Sequence, residues 1–276
     1  MRPFVAAVIF LAAAGSLPAR TAAQEPPARK SLDTILDTYV RDGFVYYRAL
    51  KADRGRLDTY VGQLAAVQPE HLSKDAQLAF WLNAYNALVL QTVIDHYPIQ
   101  GHAKQYPARS IRQIPGAFER TAHKVGGRSL TLDQIEQTVL QSFQDPRLYF
   151  AIARGSVGGG RLRSEAFVPE QIEAQLADVA RECAARPQCV QVDREQNTLN
   201  ASPIFSWREA EFAAAYGSRS VPPAFEGRSP IERAVLAFVW PRLLTTEKEF
   251  LEKNQWQMAY KAYDWTLNDL TGRGGR

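Results

Sequence analysis

The run Ser73-Lys74-Asp75-Ala76-Gln77-Leu78-Ala79-Phe80-Trp81-Leu82-Asn83-Ala84-Tyr85-Asn86-Ala87-Leu88-Val89-Leu90-Gln91-Thr92-Val93-Ile94-Asp95-His96 decides the fold. Apolar residues at Leu78, Phe80, Trp81, Leu82, Tyr85, Leu88, Val89, Val93 and Ile94 cover almost every side of a 3.6-residue period. Such a pattern predicts a central helix buried nearly all round. Asn83, Asn86 and Gln91 argue against a membrane span, because each would need a hydrogen-bond partner inside lipid. Asn83 and Asn86, three residues apart, share one face and are expected to brace a neighbouring loop or line a site. Buried asparagines of this type hold backbone groups more often than substrates.

Working outward, helical spacing covers Ser31 to Val40, an extended segment covers Phe44 to Tyr47, and Leu57, Tyr60, Val61 and Leu64 mark another helix. After the central helix, prolines at 98, 107 and 115 predict a long loop from Tyr97 to Phe118. A short hairpin is expected from His123 to Leu130, turning on Gly126-Gly127, and Thr131 with Gln134 makes a capping box for a helix through Ile135, Val139 and Leu140. Leu148 to Ile152 reads as a buried strand, Pro169 to Arg186 as an amphipathic helix, Val190 to Asp193 as a strand and Thr198 to Phe205 as extended. Trp207 to Tyr216 and Ile231 to Leu244 read as helices, and the alternation from Trp256 to Tyr263 as a strand with one buried face. The sum is an α+β fold, its helix-rich N-terminal half packed on a small mixed or antiparallel sheet. Residues 31–216 form the expected core, 217–230 a Pro/Gly-rich link, 231–270 a C-terminal helix and strand packing on that core, and 271–276 a disordered tail.

Arg2, the apolar run from Phe4 to Ala14 and the small residues Thr21-Ala22-Ala23 fit a secretory signal peptide over residues 1–23, with residues 24–30 as a flexible linker. The expected location is periplasmic or secreted. The run is well short of the ~20 apolar residues that a span requires, so no stable membrane insertion is expected after cleavage. Cleavage removes Arg2 and Arg20 but no acid, and the net charge falls from +4 to +2. A balance this close to neutral argues against nucleic acid as a partner. In an oxidising compartment Cys183 and Cys189, the two cysteines of the chain, are expected to form a local disulfide. The histidines at 71, 96, 102 and 123 have no metal-ligand spacing, and neither a metal nor a cofactor is expected.

Chemistry is suggested by Ala153-Arg154-Gly155-Ser156-Val157-Gly158-Gly159-Gly160-Arg161-Leu162-Arg163, where four glycines and three arginines crowd into a loop. Glycine backbones can turn N–H groups toward an anion, and guanidiniums donate in pairs to carboxylate or phosphate. Arg154, Gly155, Ser156, Gly158, Arg161 and Arg163 are therefore candidate ligand-binding residues. Ser156 makes a poor nucleophile elbow, because the first glycine of G-x-S-x-G is missing and no histidine follows it in the chain.

Tyr46-Tyr47-Arg48-Ala49-Leu50, Leu78 to Ala87, Leu130-Thr131-Leu132-Asp133-Gln134-Ile135-Glu136 and Asp145-Pro146-Arg147 leading into the loop resemble, in order and spacing, the bacterial and plant family called domain of unknown function 547. The likeness covers roughly Leu32 to Tyr216, and Tyr263-Asp264-Trp265-Thr266-Leu267-Asn268 resembles a C-terminal segment of some members. Family members commonly carry an Asn-Cys pair and a later Gly-Cys-Pro in the loop, with a histidine after the Ile-Glu pair. That pattern invites comparison with papain-like or transglutaminase-like cysteine hydrolases. Here those positions hold Ala153-Arg154, Gly158-Gly159-Gly160 and Gln137, so the resemblance implies the family's scaffold without its thiol and base.

Three functional classes follow. The first is a pseudoenzyme whose Gly/Arg-rich cleft binds a small anionic or peptide-like ligand, with Gln137, Asn83 and Asn86 beside the loop. The second is a hydrolase using Glu136 for acid/base chemistry, which requires a carboxyl of raised pKa beside an open cleft. The third is an envelope protein-interaction module. Arg154 has two opposed expectations: binding an anion with Arg161 or Arg163, or being satisfied by acids such as Glu136 and Glu165.

Overall fold

The computed structural model describes residues 29–271. The expected signal peptide, residues 24–28 of the expected linker and the tail beyond Thr271 lie outside the described residues. The chain begins with α1 (Arg29–Tyr39), the antiparallel pair β1 (Val40–Arg41) and β2 (Phe44–Val45), α2 (Tyr47–Ala52) and α3 (Gly55–Leu64). Tyr47, expected to be extended, already opens α2.

The central helix is α4 (Lys74–His96), started by Ser73, whose Oγ accepts from the Ala76 N–H at 3.3 Å. It packs against α2, α3 and several later elements, which is why its apolar residues surround it rather than forming a stripe. The 97–118 segment is largely irregular, as its prolines predict, with one 3₁₀ turn at Ile111–Gln113. Then β3 (Ala122–Val125) and β4 (Arg128–Thr131) pair as the expected hairpin. Gly126 and Gly127 take φ of +57° and +68°, the left-handed pair that a two-residue hairpin turn requires.

Both bonds of the Thr131–Gln134 capping box are present, at 3.1 and 2.9 Å, at the start of α5 (Leu132–Gln134). This helix widens at once into a π-helical turn, Ile135–Leu140, a departure from α geometry that recurs at functional positions. The strand expected over Leu148 to Ile152 is instead the short helix α6 (Leu148–Ala151). Its residues are buried on every side, so alternation carries no signal there, and Asp145 starts the turn by accepting from the Arg147 N–H at 3.0 Å.

Beyond the loop lie α7 (Ile172–Ala185), β5 (Val190–Asp193) and β6 (Thr198–Ala201). The Cys183–Cys189 disulfide joins the end of α7 to the start of β5. The extended reading of Thr198 to Phe205 holds only to Ala201: Ser202 and Pro203 start α8 (Pro203–Trp207), with Ser202 Oγ accepting from the Ile204 N–H. Next come α9 (Glu209–Tyr216), α10 (Pro230–Val239) and α11 (Thr245–Lys253), the last unanticipated, and then β7 (Gln257–Tyr260). Strand β6 pairs antiparallel with β5 and parallel with β7, a small mixed sheet in addition to the β1–β2 and β3–β4 pairs in a mostly helical molecule.

One connected core runs from Leu32 to Leu267. Phe150, Phe205, Phe212 and Phe238 knit four helices together, with Phe205 at 5.1, 4.7 and 5.6 Å from the other three rings. Each such ring contributes about 1.5–3 kcal/mol by leaving water. After β7 the chain does not stop at the sheet. Residues 261–271 cross back over the glycine–arginine loop to β2, where the Val45 N–H donates to Asn268 O at 2.8 Å and the Leu270 N–H to Val45 O at 2.9 Å.

Candidate functional site

The glycine–arginine loop leaves α6 in an unusual conformation. Arg154 and Gly155 take φ of +48° and +61°, and for arginine this left-handed placement costs about 1–2 kcal/mol. It is held from below by α4. Asn86 donates to Ala151 O at 3.2 Å and accepts from the Ala153 N–H at 3.0 Å. Asn83 does the same for the next crossing, donating to Phe167 O and accepting from the Phe167 N–H, both at 2.8 Å. The two asparagines thus hold backbone, and their amides are consumed by the scaffold.

Arg154 points inward and is 3% exposed. Its Nη2 and Nε donate to the two oxygens of Glu136 at 2.7 and 3.0 Å, and its Nη1 to Tyr149 O at 3.0 Å. Arg208 adds a donor to Glu136 Oε1 at 2.8 Å while its guanidinium stacks 4.1 Å over the Tyr149 ring, and Tyr85 Oη lies 3.3 Å from Oε2. Burial would raise the Glu136 pKa, but Arg154 and Arg208 outweigh it and hold the carboxyl below the ordinary glutamate value. Burial likewise opposes the charge on Arg154, and Glu136 outweighs it. The requirement for a Glu136 proton shuttle, a raised pKa, is therefore not met.

The π-helical turn orients this pair of neighbours: Glu136 is buried and Gln137 is exposed. Gln137 does not join the loop. Arg161 reaches Asp42 and Glu182, each at 3.0 Å, and Arg163 pairs with Glu165 and lies 3.7 Å from the same Glu182, so Arg161 and Arg163 share an acid while Arg154 is held apart from them by Glu136. Gly155 packs against Val89, Val93 and Ile111 of the core.

The outer face of the loop is occupied by the chain itself. The Gly158 N–H donates to Asp264 O at 2.8 Å and the Val157 N–H to Thr266 O at 2.9 Å. At Gly158 a side chain has no room, since a Cβ would sit 2.7 Å from the Asp264 nitrogen. Ser156 Oγ lies 2.8 Å from Tyr263 Oη, and Leu267 donates its N–H to Arg109 O at 2.9 Å. Burial raises the Tyr263 pKa despite the nearby Arg154 charge, so the phenol stays neutral.

The family model described as "Protein of unknown function, DUF547" matches residues 69–183, from the turn before α4 through the loop to the first disulfide cysteine. Over this stretch the chain resembles that family. No curated protein and no solved structure matches the chain. The family's description carries no activity. Both cysteines are joined in the disulfide, 29 and 35 positions beyond Arg154 in the numbering, and no cysteine is free. Among the described residues no helix is long and apolar enough to cross a membrane, and no group of three or more His, Cys, Asp or Glu is arranged to hold a metal ion.

Sequence reasoning missed Arg208, Tyr85 and Tyr263 as members of this site. Arg208 and Tyr263 lie 72 and 127 positions beyond Glu136, and no local pattern joins them. The one usable signal was the resemblance of Tyr263 to Asn268 to a segment of some family members, which tied the C-terminal stretch to the core without saying where it docks.

Proposed function

We propose that this chain is an exported, non-catalytic member of the scaffold it resembles, and that its loop is a groove for an extended peptide rather than for a small anion. One observation carries the reading: the Val157 and Gly158 N–H groups are taken by the carbonyls of Thr266 and Asp264, and Ser156 forms an antiparallel bridge with Leu267 of the same segment. Main-chain bonding to a neighbouring segment is how a groove holds a peptide, with side-chain pockets supplying selectivity. The neighbouring charges support the same choice. Arg154, Arg161 and Arg163 each have acid partners, which removes the motive for anion capture.

The non-catalytic part rests on chemistry. Thiol attack needs a thiolate, and both sulfurs are in the disulfide. The Glu136 carboxylate is enclosed by donors that favour its charged form, which suits an ion pair and not proton transfer. The N-terminal run of apolar and small residues supports export.

Hydrogen exchange of the intact chain tests the groove. If residues 263–266 can leave to admit a ligand, the Val157 and Gly158 amides exchange through local opening, faster than amides in the middle of α4. Exchange of both only with global unfolding would overturn the reading. Incubation with activated esters and peptides is expected to give no turnover, with or without iodoacetamide. Turnover abolished by alkylation of the folded protein would overturn the non-catalytic assignment.

A further inference from the structure

We infer that the pit bounded by Pro187, Pro203 and Tyr263 is a site for a single free α-amino acid with an apolar side chain, its carboxylate on Lys261 and its ammonium on Asp264. The pit is open while residues 263–266 are seated on the loop. The site therefore needs no movement of that segment and stands apart from the groove.

Its size suits such a ligand. The pit encloses about 210 Å³. That exceeds the roughly 150 Å³ cavity that admits benzene and falls short of the roughly 300 Å³ at which pockets for drug-sized ligands begin. Its walls come from separate parts of the chain: Pro187 between the two disulfide cysteines, Pro203 at the start of α8, Gly158 of the loop, and residues 261–264 after β7. Proline offers an apolar ring and no N–H, so these walls receive an aliphatic side chain without presenting an unmet donor to it.

The polar groups at the pit are few, and two are charged. Lys261 Nζ donates to Pro187 O at 2.5 Å and to Gln191 Oε1 at 2.6 Å, both neutral acceptors. An ammonium has three donors, so one is left over, and among the described residues no carboxylate forms an ion pair with it. Partial burial works against its charge and lowers its pKa, with Asp193 the opposing influence. A cation in this position gains from an arriving carboxylate a charge-assisted bond that carbonyl and amide oxygens do not match. Asp264 is the counterpart. Its Oδ1 accepts from the Thr266 N–H at 2.9 Å, its other oxygen has no donor among the described residues, and no cation pairs with it. The two charges line one pit without pairing with each other. An unpaired cation and an unpaired anion beside an apolar wall match a zwitterion, whereas a simple carboxylate satisfies Lys261 alone and a simple amine Asp264 alone.

The test titrates the intact chain with L-leucine while the Gly158 and Ala262 amides are followed by heteronuclear NMR. Fluorescence of Trp207, a half-exposed ring 5.0 Å from Tyr263, gives a second signal. Saturable shifts at both amides are expected, and N-acetyl-leucine and leucinamide, each lacking one charge, should bind roughly tenfold more weakly. Lys261→Met keeps the aliphatic stem and should weaken leucine roughly tenfold while leaving leucinamide unchanged. Asp264→Asn keeps an acceptor for the Thr266 N–H and should weaken leucine by a similar factor while leaving N-acetyl-leucine unchanged. Should Lys261→Met fail to fold, Asp264→Asn with the three ligands decides. Absence of saturable shifts at these amides, or variants that bind leucine as the wild type does, would overturn the inference. N-acetyl-leucine binding as tightly as leucine would also overturn it, and would assign the pit to the C-terminal residue of a peptide.

Discussion

Replacing Arg154 with alanine separates a structural arginine from a ligand-binding one. The substitution deletes two charge-assisted bonds to Glu136 and one to Tyr149 O, and leaves a carboxylate of 6% exposure with Arg208 and Tyr85 as its remaining donors. Breaking a buried pair by removing one partner costs about 3–5 kcal/mol. Because Arg208 stays on Glu136, the lower end applies, and a loss of about 3 kcal/mol is expected. Position 154 adds a control: alanine keeps the left-handed strain, whereas Arg154→Gly relieves it, so the glycine variant is expected to be about 1 kcal/mol more stable than the alanine one. Urea unfolding followed by tryptophan fluorescence measures both, urea being uncharged and leaving ion pairs unscreened. A cycle with Glu136→Gln should show the two losses falling short of additive by more than about 1 kcal/mol. An Arg154→Ala protein within about 1 kcal/mol of wild type, with additive behaviour in the cycle, would refute the ion-pair account and return Arg154 to the surface chemistry of the loop.

Four further outcomes are expected. Glu136 has a depressed pKa in the folded protein, so its contribution is fully present above the unfolded value of about 4.3 and is lost as pH falls through the lower folded value; urea midpoints of wild type and Glu136→Gln should converge below about pH 4. Asn86→Ala leaves the Ala153 N–H and Ala151 C=O without their partner, and calorimetry should register a loss of about 2–4 kcal/mol; a loss below 0.5 would assign those groups to water. Protein purified without reductant should weigh two hydrogens less than its reduced form, and replacing both Cys183 and Cys189 with serine should cost about 2 kcal/mol for so short a loop. Gly158→Ala pushes a Cβ into the Asp264 backbone, and the Val157 amide should then exchange at least tenfold faster; unchanged exchange would show that the segment yields without lifting.

What could be read from the sequence was whatever is encoded locally. The unbroken apolar surface of α4, the Gly126-Gly127 hairpin and the Thr131–Gln134 capping box are each a few residues whose chemistry determines their own backbone, and each is present. Leu148 to Ala151 failed for the opposite reason. Buried on all sides, those residues carry no period, and only the Asp145 turn before them distinguishes helix from strand. The segment at 202–207 could have been read from Ser202-Pro203, a helix-start pair sitting at the end of a strand pattern.

The site divided along the same line. The loop's composition announced a backbone that needs glycine, but composition does not say whether the close approach is made by a ligand or by the chain. At Gly158 it is the Asp264 backbone, 106 positions away in the numbering, and at Arg154 it is a carboxylate brought over by the π-helical turn. A glycine-rich stretch and a cluster of arginines are requirements for partners, and a folded chain of this size has partners of its own to offer. The two cases are distinguished by where the loop's donors point: inward, the guanidinium of Arg154 meets a buried acid in a fixed core; outward, the N–H groups of Val157 and Gly158 meet the carbonyls of Thr266 and Asp264, whose side chains are exposed. The inward half is stabilised by a pairing that costs several kcal/mol to break, and the outward half by main-chain bonds and by the side chains of residues 263–268. Any binding by this loop therefore belongs to its outer face.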